Sequence, residues 1–289
     1  MKKKTVILGI VLLSVAAFLL WRFIRPMNIF VISEAFERPI DTSSMPALLK
    51  TLRADECGAC HQDYYKEWQT TVHSQAWTDP YFQVDWTFED KEQICRNCHT
   101  PLDRQQEHTV LGFRDREKWD PILAPNPAFD SVLQHEGVTC AGCHLREGQI
   151  LGPYGLATEA HPVTKIDDPN QVCVRCHVVG GGRWDTFYRF PPCGTVAEIE
   201  AGRGARRTSS GETQVTDVGS LQCVECHMPR VERPLVPGGQ PRPARQHFWR
   251  GGHDPATVKR ALTAALQADP SAPEDVFRYR LALTNTGTA

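Results

Sequence analysis

Hydrophobic and polar positions are distributed unevenly along this chain. Thr5 to Trp21 is an unbroken run of 17 uncharged residues, preceded by Lys2, Lys3 and Lys4 and closed by Arg22. A run of this length sits at the short end of what crosses a bilayer. Trp21, Arg22 and Arg25 suit an interfacial collar, and the three lysines favour an N-terminus on the inside. Residues 1–25 therefore read as a membrane anchor. The rival reading is a cleaved signal peptide, with Ser14-Val15-Ala16 as its small-residue site. Phe18, Leu19, Leu20 and Trp21 follow that site, where a polar region is expected.

Residues 26–55 read as a tether. Cys57 to Trp77 contains no proline, and the spacing of Tyr64, Tyr65 and Trp68 predicts one continuous helix with an aromatic face. Tyr81, Phe82, Trp86 and Phe88 crowd residues 78–94, a stretch suited to core packing. Residues 202–220 are rich in Gly, Ser, Thr and Arg and read as a surface loop. The five prolines of 229–246 predict an extended wrapping segment. Asp254-Pro255 then starts a helix, with Asp as cap and Pro at the first position. Val258, Leu262, Ala265 and Leu266 share a face, and the helix is expected to stop before Pro270. At the end Phe277, Tyr279, Leu281 and Leu283 alternate with Arg278, Arg280, Ala282 and Thr284, the pattern of a half-buried strand. One strand is not stable alone, so it needs a partner in this chain, in another chain or in a further β-domain. Residues 255–289 thus form a helix plus terminal strand.

Chemistry enters through one phrase used five times: Cys57-Gly-Ala-Cys60-His61, Cys95-Arg-Asn-Cys98-His99, Cys140-Ala-Gly-Cys143-His144, Cys173-Val-Arg-Cys176-His177 and Cys223-Val-Glu-Cys226-His227. C-x-x-C-H is the attachment signature of c-type haem. The two thiols form thioethers to the porphyrin, and the adjacent histidine gives its nitrogen to iron. Zinc ribbons and redox dithiols also use C-x-x-C, but neither needs His after every second Cys. With 11 His in 289 residues, five such coincidences have odds of roughly one in ten million. Five covalently bound haem c groups are expected, one for every 58 or so residues. Porphyrins would then supply much of the apolar interior. The 21 Pro and 21 Gly agree with a loop-rich wrapping. The expected fold is mainly α with extensive loops around a stack of five haems at 56–254, an N-terminal transmembrane helix and a short C-terminal β-strand. A formal charge of −2 supports no nucleic-acid role.

Three blocks carry a family resemblance: Cys57 to Trp77 with His73, His135-Glu-Gly-Val-Thr-Cys140-Ala-Gly-Cys143-His144, and Cys223 to Pro229 followed by His247-Phe-Trp-Arg-Gly-Gly-His253. Over residues 55–255 the chain resembles multihaem c-type cytochromes related to hydroxylamine oxidoreductase and its tetrahaem electron-acceptor cytochrome. The resemblance implies close haem pairs, attachment outside the cytoplasmic membrane, and distal ligation by a histidine preceding G-V-x-C-x-x-C-H. By that analogy His135 and His73 are distal-ligand candidates. The end of the chain also looks like the first strand of a β-domain found in longer relatives.

Beyond the five motif histidines, six remain: His73, His108, His135, His161, His247 and His253. Six candidates for five irons permit two histidines at every iron. His73, His135, His161, His247 and His253 form the expected set. On an unbroken helix His73 would lie roughly 18 Å from His61, so it would serve a different iron. Met228, before Pro229, suits a turn, and Cys193 is left over as a free or buried thiol. A haem closed by two imidazoles can only pass electrons. The expected function is therefore an electron carrier anchored in the cytoplasmic membrane, with its haem domain in the periplasm. It would link a membrane donor such as a quinol-oxidising complex to downstream redox proteins. The alternative is an oxidoreductase acting on a small nitrogen or sulfur compound at one five-coordinate haem.

Overall fold

The computed structural model describes residues 2–24, 38–114, 120–155, 161–177, 206–207, 213–214, 222–270, 273 and 275–286. Cys193 and most of the 202–220 segment lie outside them. The chain opens on helix α1 (Lys2–Ile24). Its window Lys4–Trp21 has a mean hydropathy of 2.2 and buries nothing within the protein, so it is long and apolar enough to cross a bilayer.

The expected helix from Cys57 to Trp77 is broken in the structure. Helix α2 (Ala54–Gly58) ends within the first motif, His61 takes φ −94°, ψ 56°, and α3 (Gln62–Trp68) follows. The hydroxyls of Thr70 and Thr71 donate to the carbonyls of Glu67 and Trp68 at 2.8 and 2.7 Å. Those side-chain bonds offer an alternative to the helical ladder, and turns take over up to α4 (Pro80–Phe88). Helices α5 (Gln93–His99), α6 (Ser131–His135), α7 (Cys140–His144), α8 (Asn170–His177) and α9 (Cys223–His227) complete this region.

The architecture is mixed rather than mainly α, because segments expected as loops pair with one another. β1 (His108–Phe113) and β2 (Pro121–Pro125) form a hairpin with a bulge between Val110 and Gly112. β3 (Leu145–Arg146), β4 (Gln149–Gly152) and β5 (Val163–Lys165) make a small sheet, parallel between β4 and β5. Two further short strands, β6 (Arg206–Arg207) and β7 (Thr213–Gln214), pair antiparallel. The proline-rich segment is a hairpin, β8 (Arg230–Arg233) with β9 (Arg242–Arg245), in which Pro243 faces Glu232. A two-stranded ribbon has only edges, so a proline there forfeits no interior ladder bond.

Asp254 caps α10 (Pro255–Ala261) as expected, accepting the Thr257 amide at 3.0 Å. The helix stops at Ala261, short of its expected end. Leu262–Ala268 becomes β10 and pairs with β11 (Tyr279–Asn285), which gives the terminal strand its partner inside the chain. The register sets Leu262, Ala264 and Leu266 beside Leu283, Leu281 and Tyr279 on one face. Both strands are exposed throughout.

The largest apolar cluster of buried side chains is small: Ile40, Leu52, Leu102, Leu133, Ala141 and Leu145. Polar clamps do much of the remaining work. Arg53 bridges Asp130 at 2.8 Å. Glu67, on α3, receives both guanidinium nitrogens of Arg233, on β8, at 2.6 and 2.8 Å and also the His247 amide at 2.7 Å. Only 10% and 12% of the Glu67 and Arg233 side chains are exposed. Removing one partner of a buried pair leaves an uncompensated charge. Glu67→Ala is therefore expected to cost about 3–5 kcal/mol in denaturant unfolding, against less than about 1 kcal/mol for breaking the exposed Arg114–Asp120 pair.

Candidate haem-binding site

Each C-x-x-C-H motif occupies about one helical turn. Four of the motif helices, α5, α7, α8 and α9, end on their histidine, and the first motif passes from α2 into the turn at His61. Cysteines three apart on a helical turn project to one side. None of these ten thiols is in a disulfide.

The imidazoles are oriented by backbone carbonyls. Nδ1 of His61 lies 3.0 Å from the Leu235 carbonyl, His99 2.7 Å from Ala76, His144 2.7 Å from Leu151 and His227 2.8 Å from Arg250. With Nδ1–H donating to a carbonyl, Nε2 is the nitrogen free for a metal.

Three of the other histidines meet a motif histidine. His61 faces His161 with ring centres 6.1 Å apart, His177 faces His73 at 6.3 Å, and His144 faces His247 at 6.1 Å. A ligating nitrogen sits about 2.0 Å from its metal and about 1.1 Å from its own ring centre, so two trans imidazoles put their centres about 6.2 Å apart. Burial pushes the pKa of His73 down to about 4 and that of His247 down to about 3, with His177 and His144 as further causes. Both rings stay neutral, the form that binds metal.

His135 is exposed and its Nδ1 contacts the Ser131 carbonyl at 2.7 Å. His253 is exposed in the turn before α10. Neither shares a ring contact with a motif histidine among the described residues. His108 is exposed on β1. His99 instead has Phe82 stacked on its face, with centres 3.6 Å apart and planes 9° apart.

Side chains that sequence reasoning passed over hold these rings. Gly137, at φ +61°, lies where an added Cβ would stand 2.7 Å from the His73 carbonyl. That approach lets the Val138 amide bond the same carbonyl at 2.8 Å. Glu136 accepts the Ala54 amide at 2.8 Å. The His-Glu-Gly-Val block thus braces the His73 backbone. Trp249 touches the rings of both His73 and His247, at 4.9 and 5.2 Å. The dipeptide Gly137-Val138 is visible in the sequence, but its distant partner is not.

The motifs also adjoin one another. The thiol of Cys57 lies beside that of Cys140, Cys98 beside Cys176, and Cys173 beside Cys223. Burial, then the neighbouring Cys176, pushes Cys143 up to about 11. The first motif thus meets the third, the third the fourth, and the fourth both the second and the fifth.

The residues fit haem. The facing imidazoles are too far apart to bond each other and correctly spaced to share an iron. Arg96, Arg175 and Arg233 each keep a buried Nε without a hydrogen-bond partner among the described residues. These surplus donors suit the carboxylate side arms of a porphyrin.

Residues 56–118 match the family model described as cytochrome c554 and c-prime. This span holds the first two motifs and carries the reading of a multihaem c-type cytochrome; it does not extend to hydroxylamine oxidoreductase. The crystal structure of a penta-heme cytochrome c552 from Thermochromatium tepidum is similar at 19% identity and a TM-score of 0.46, covering 81% of this chain and 66% of that one. No curated protein gives a significant match.

The left-handed φ and the 2.7 Å approach make Gly137→Ala costly. It is expected to lose more than about 1 kcal/mol of stability. The loosened His73 should add a high-spin component to the absorption and paramagnetic resonance spectra, while haem content stays unchanged.

Proposed function

We propose that this chain is a membrane-anchored, extracytoplasmic cytochrome carrying five haem c groups that relay electrons between a membrane donor and downstream redox proteins. The observation that supports it most is the set of three facing histidine pairs with centres 6.1–6.3 Å apart. Bound haem c supplies a one-electron ferric–ferrous couple at each site.

The chain's own residues do the rest. Cys57 and Cys60, Cys95 and Cys98, Cys140 and Cys143, Cys173 and Cys176, and Cys223 and Cys226 fasten the rings. His61, His99, His144, His177 and His227 give the proximal nitrogens. His161, His247 and His73 close the first, third and fourth sites. His135 and His253 are the ligands left for the second and fifth. Backbone carbonyls on the Nδ1 atoms of His61, His99, His144 and His227 keep those four rings from rotating, which limits reorganisation when charge changes. Cys60 and Cys226 are exposed, so the first and fifth sites suit the ends of the relay.

The Phe82 ring on His99 favours a second reading. With that aromatic face beside it and no second histidine ring against His99 among the described residues, the second site is the place for an oxidoreductase acting on a small nitrogen or sulfur compound.

Two measurements decide. Haemochrome quantitation of the fully matured, detergent-solubilised protein is expected to give five haems per chain; four or fewer would overturn the count. Paramagnetic resonance at rest is expected to show low-spin iron at every site, with slow cyanide and nitric oxide binding. A high-spin site that binds either ligand rapidly would overturn the carrier reading in favour of the enzyme.

His161→Ala, His73→Ala and His247→Ala are each expected to convert one low-spin site to high-spin and to raise one midpoint potential, with haem content unchanged. A variant whose spectrum matches the parent removes that histidine from the ligand set.

A further inference from the structure

Helix α4 has two unlike faces. Phe82 and Trp86 turn inward: Phe82 stacks on His99, and Trp86 packs on Trp77 with ring centres 5.0 Å apart. Tyr81, Val84 and Phe88, at positions i, i+3 and i+7, form a stripe on the other side. They are 85%, 72% and 81% exposed. An apolar stripe this open on a soluble face marks an interaction site rather than scattered surface residues.

Charge decides the kind of partner. Between Asp79 and Glu92 stand five carboxylates, Asp79, Asp85, Glu89, Asp90 and Glu92, against the single Lys91. Lys91, itself exposed, sits over the Trp86 ring, 5.7 Å from its centre. Asp90 and Lys91 both adopt left-handed backbone, at φ 53° and 60°, and turn the chain sharply where the stripe ends. Acidic neighbours around an apolar centre repel an anionic lipid surface and attract a basic protein.

We propose that the exposed face of α4 is the docking surface of a basic one-electron carrier protein, seated on Tyr81, Val84 and Phe88 and steered by Asp85 and Glu89. This rests on the carrier reading above and gives the second haem site its partner. One helix separates the stripe from the imidazole of His99. Each productive encounter would move one electron: the partner's iron passes from ferrous to ferric, and an iron held at the second site would pass from ferric to ferrous. Among the described residues the second motif meets the fourth through Cys98 and Cys176, so a partner on α4 would pass electrons to the second site.

The test uses the full, haem-loaded chain in nanodiscs and mitochondrial cytochrome c, a lysine-rimmed monohaem protein, as the probe. Binding is read by calorimetry across ionic strength, and Tyr81 protection by hydroxyl-radical footprinting. Asp85→Lys with Glu89→Lys, and separately Tyr81→Ser with Val84→Ser and Phe88→Ser, are each expected to weaken binding about ten-fold or more. Wild-type binding should weaken with salt, and haem content should not change. All five substituted residues are exposed, so haem content and the unfolding midpoint control for folding.

Parental affinity in either variant overturns the docking surface. So does protection of Tyr81 by the bilayer rather than by cytochrome c, which assigns the stripe to lipid, or tighter binding of an acidic flavodoxin than of cytochrome c. A dye-mediated redox titration reads the carrier role separately. Reversible uptake of electrons with no effect of the substitutions sinks the docking surface alone, whereas failure to take up electrons reversibly sinks both.

Discussion

An imidazole that holds a metal must have its other nitrogen held in turn. In this chain the carbonyls on the proximal histidines come from far along the backbone: Leu235 for His61, Ala76 for His99 and Arg250 for His227. A C-x-x-C-H turn is local, but its orientation is not, and the fold follows from that dependence. Each of the three facing pairs also joins the first half of the chain to the second. The stretch His247 to Arg250 shows how closely the sites are bound together. His247 faces His144, Trp249 touches both His73 and His247, and the Arg250 carbonyl holds His227. Four consecutive residues thus fix groups at three of the five motifs, and Trp249 takes a left-handed φ of 42° to do it.

This economy explains the sparse side-chain core. Six residues form its largest cluster, which is little for a domain of this length. Buried polar groups take a structural share instead. Gln93, Asn97, Gln105 and Gln106 bond one another or nearby carbonyls around the second motif, and Gln105 and Gln106 are fully buried. Glu67 gathers the Arg233 guanidinium and the His247 amide, and Tyr64 lies under that guanidinium with 3.9 Å between centres. Such networks specify one arrangement only when every member is satisfied.

The attachment chemistry was legible because it is written in contiguous residues. The apolar run of α1 and the Asp254-Pro255 helix start were legible for the same reason. Periodicity misled where tertiary partners decided the outcome. Leu262 to Ala268 reads as helix by spacing, yet it is the one segment able to pair with Tyr279–Asn285 and becomes a strand. The 57–77 segment reads as one helix, yet the turn at His61 and the hydroxyls of Thr70 and Thr71 end it early. Analogy drew attention to the His135 block, and the block matters, but through Glu136, Gly137 and Val138. Those residues act on segments some sixty to eighty positions upstream, a link that no pattern along the chain reveals.

The second motif stands apart for a physical reason. His61, His144 and His177 each have another histidine ring beside them, whereas His99 lies against Phe82, which packs in turn on Trp77 and Trp86, with Arg96 4.8 Å from the centre of Trp86. Burial lowers the pKa of His99, outweighing the opposite pull of the Ala76 carbonyl and Asp79. The Ala76 carbonyl fixes the orientation of the ring, and Phe82 covers one of its faces. Such surroundings stabilise the less charged, reduced iron relative to a wetter site. The apolar stripe of Tyr81, Val84 and Phe88 lies on the far side of the helix that carries Phe82, so α4 links the Phe82–His99 contact to the exposed acidic face.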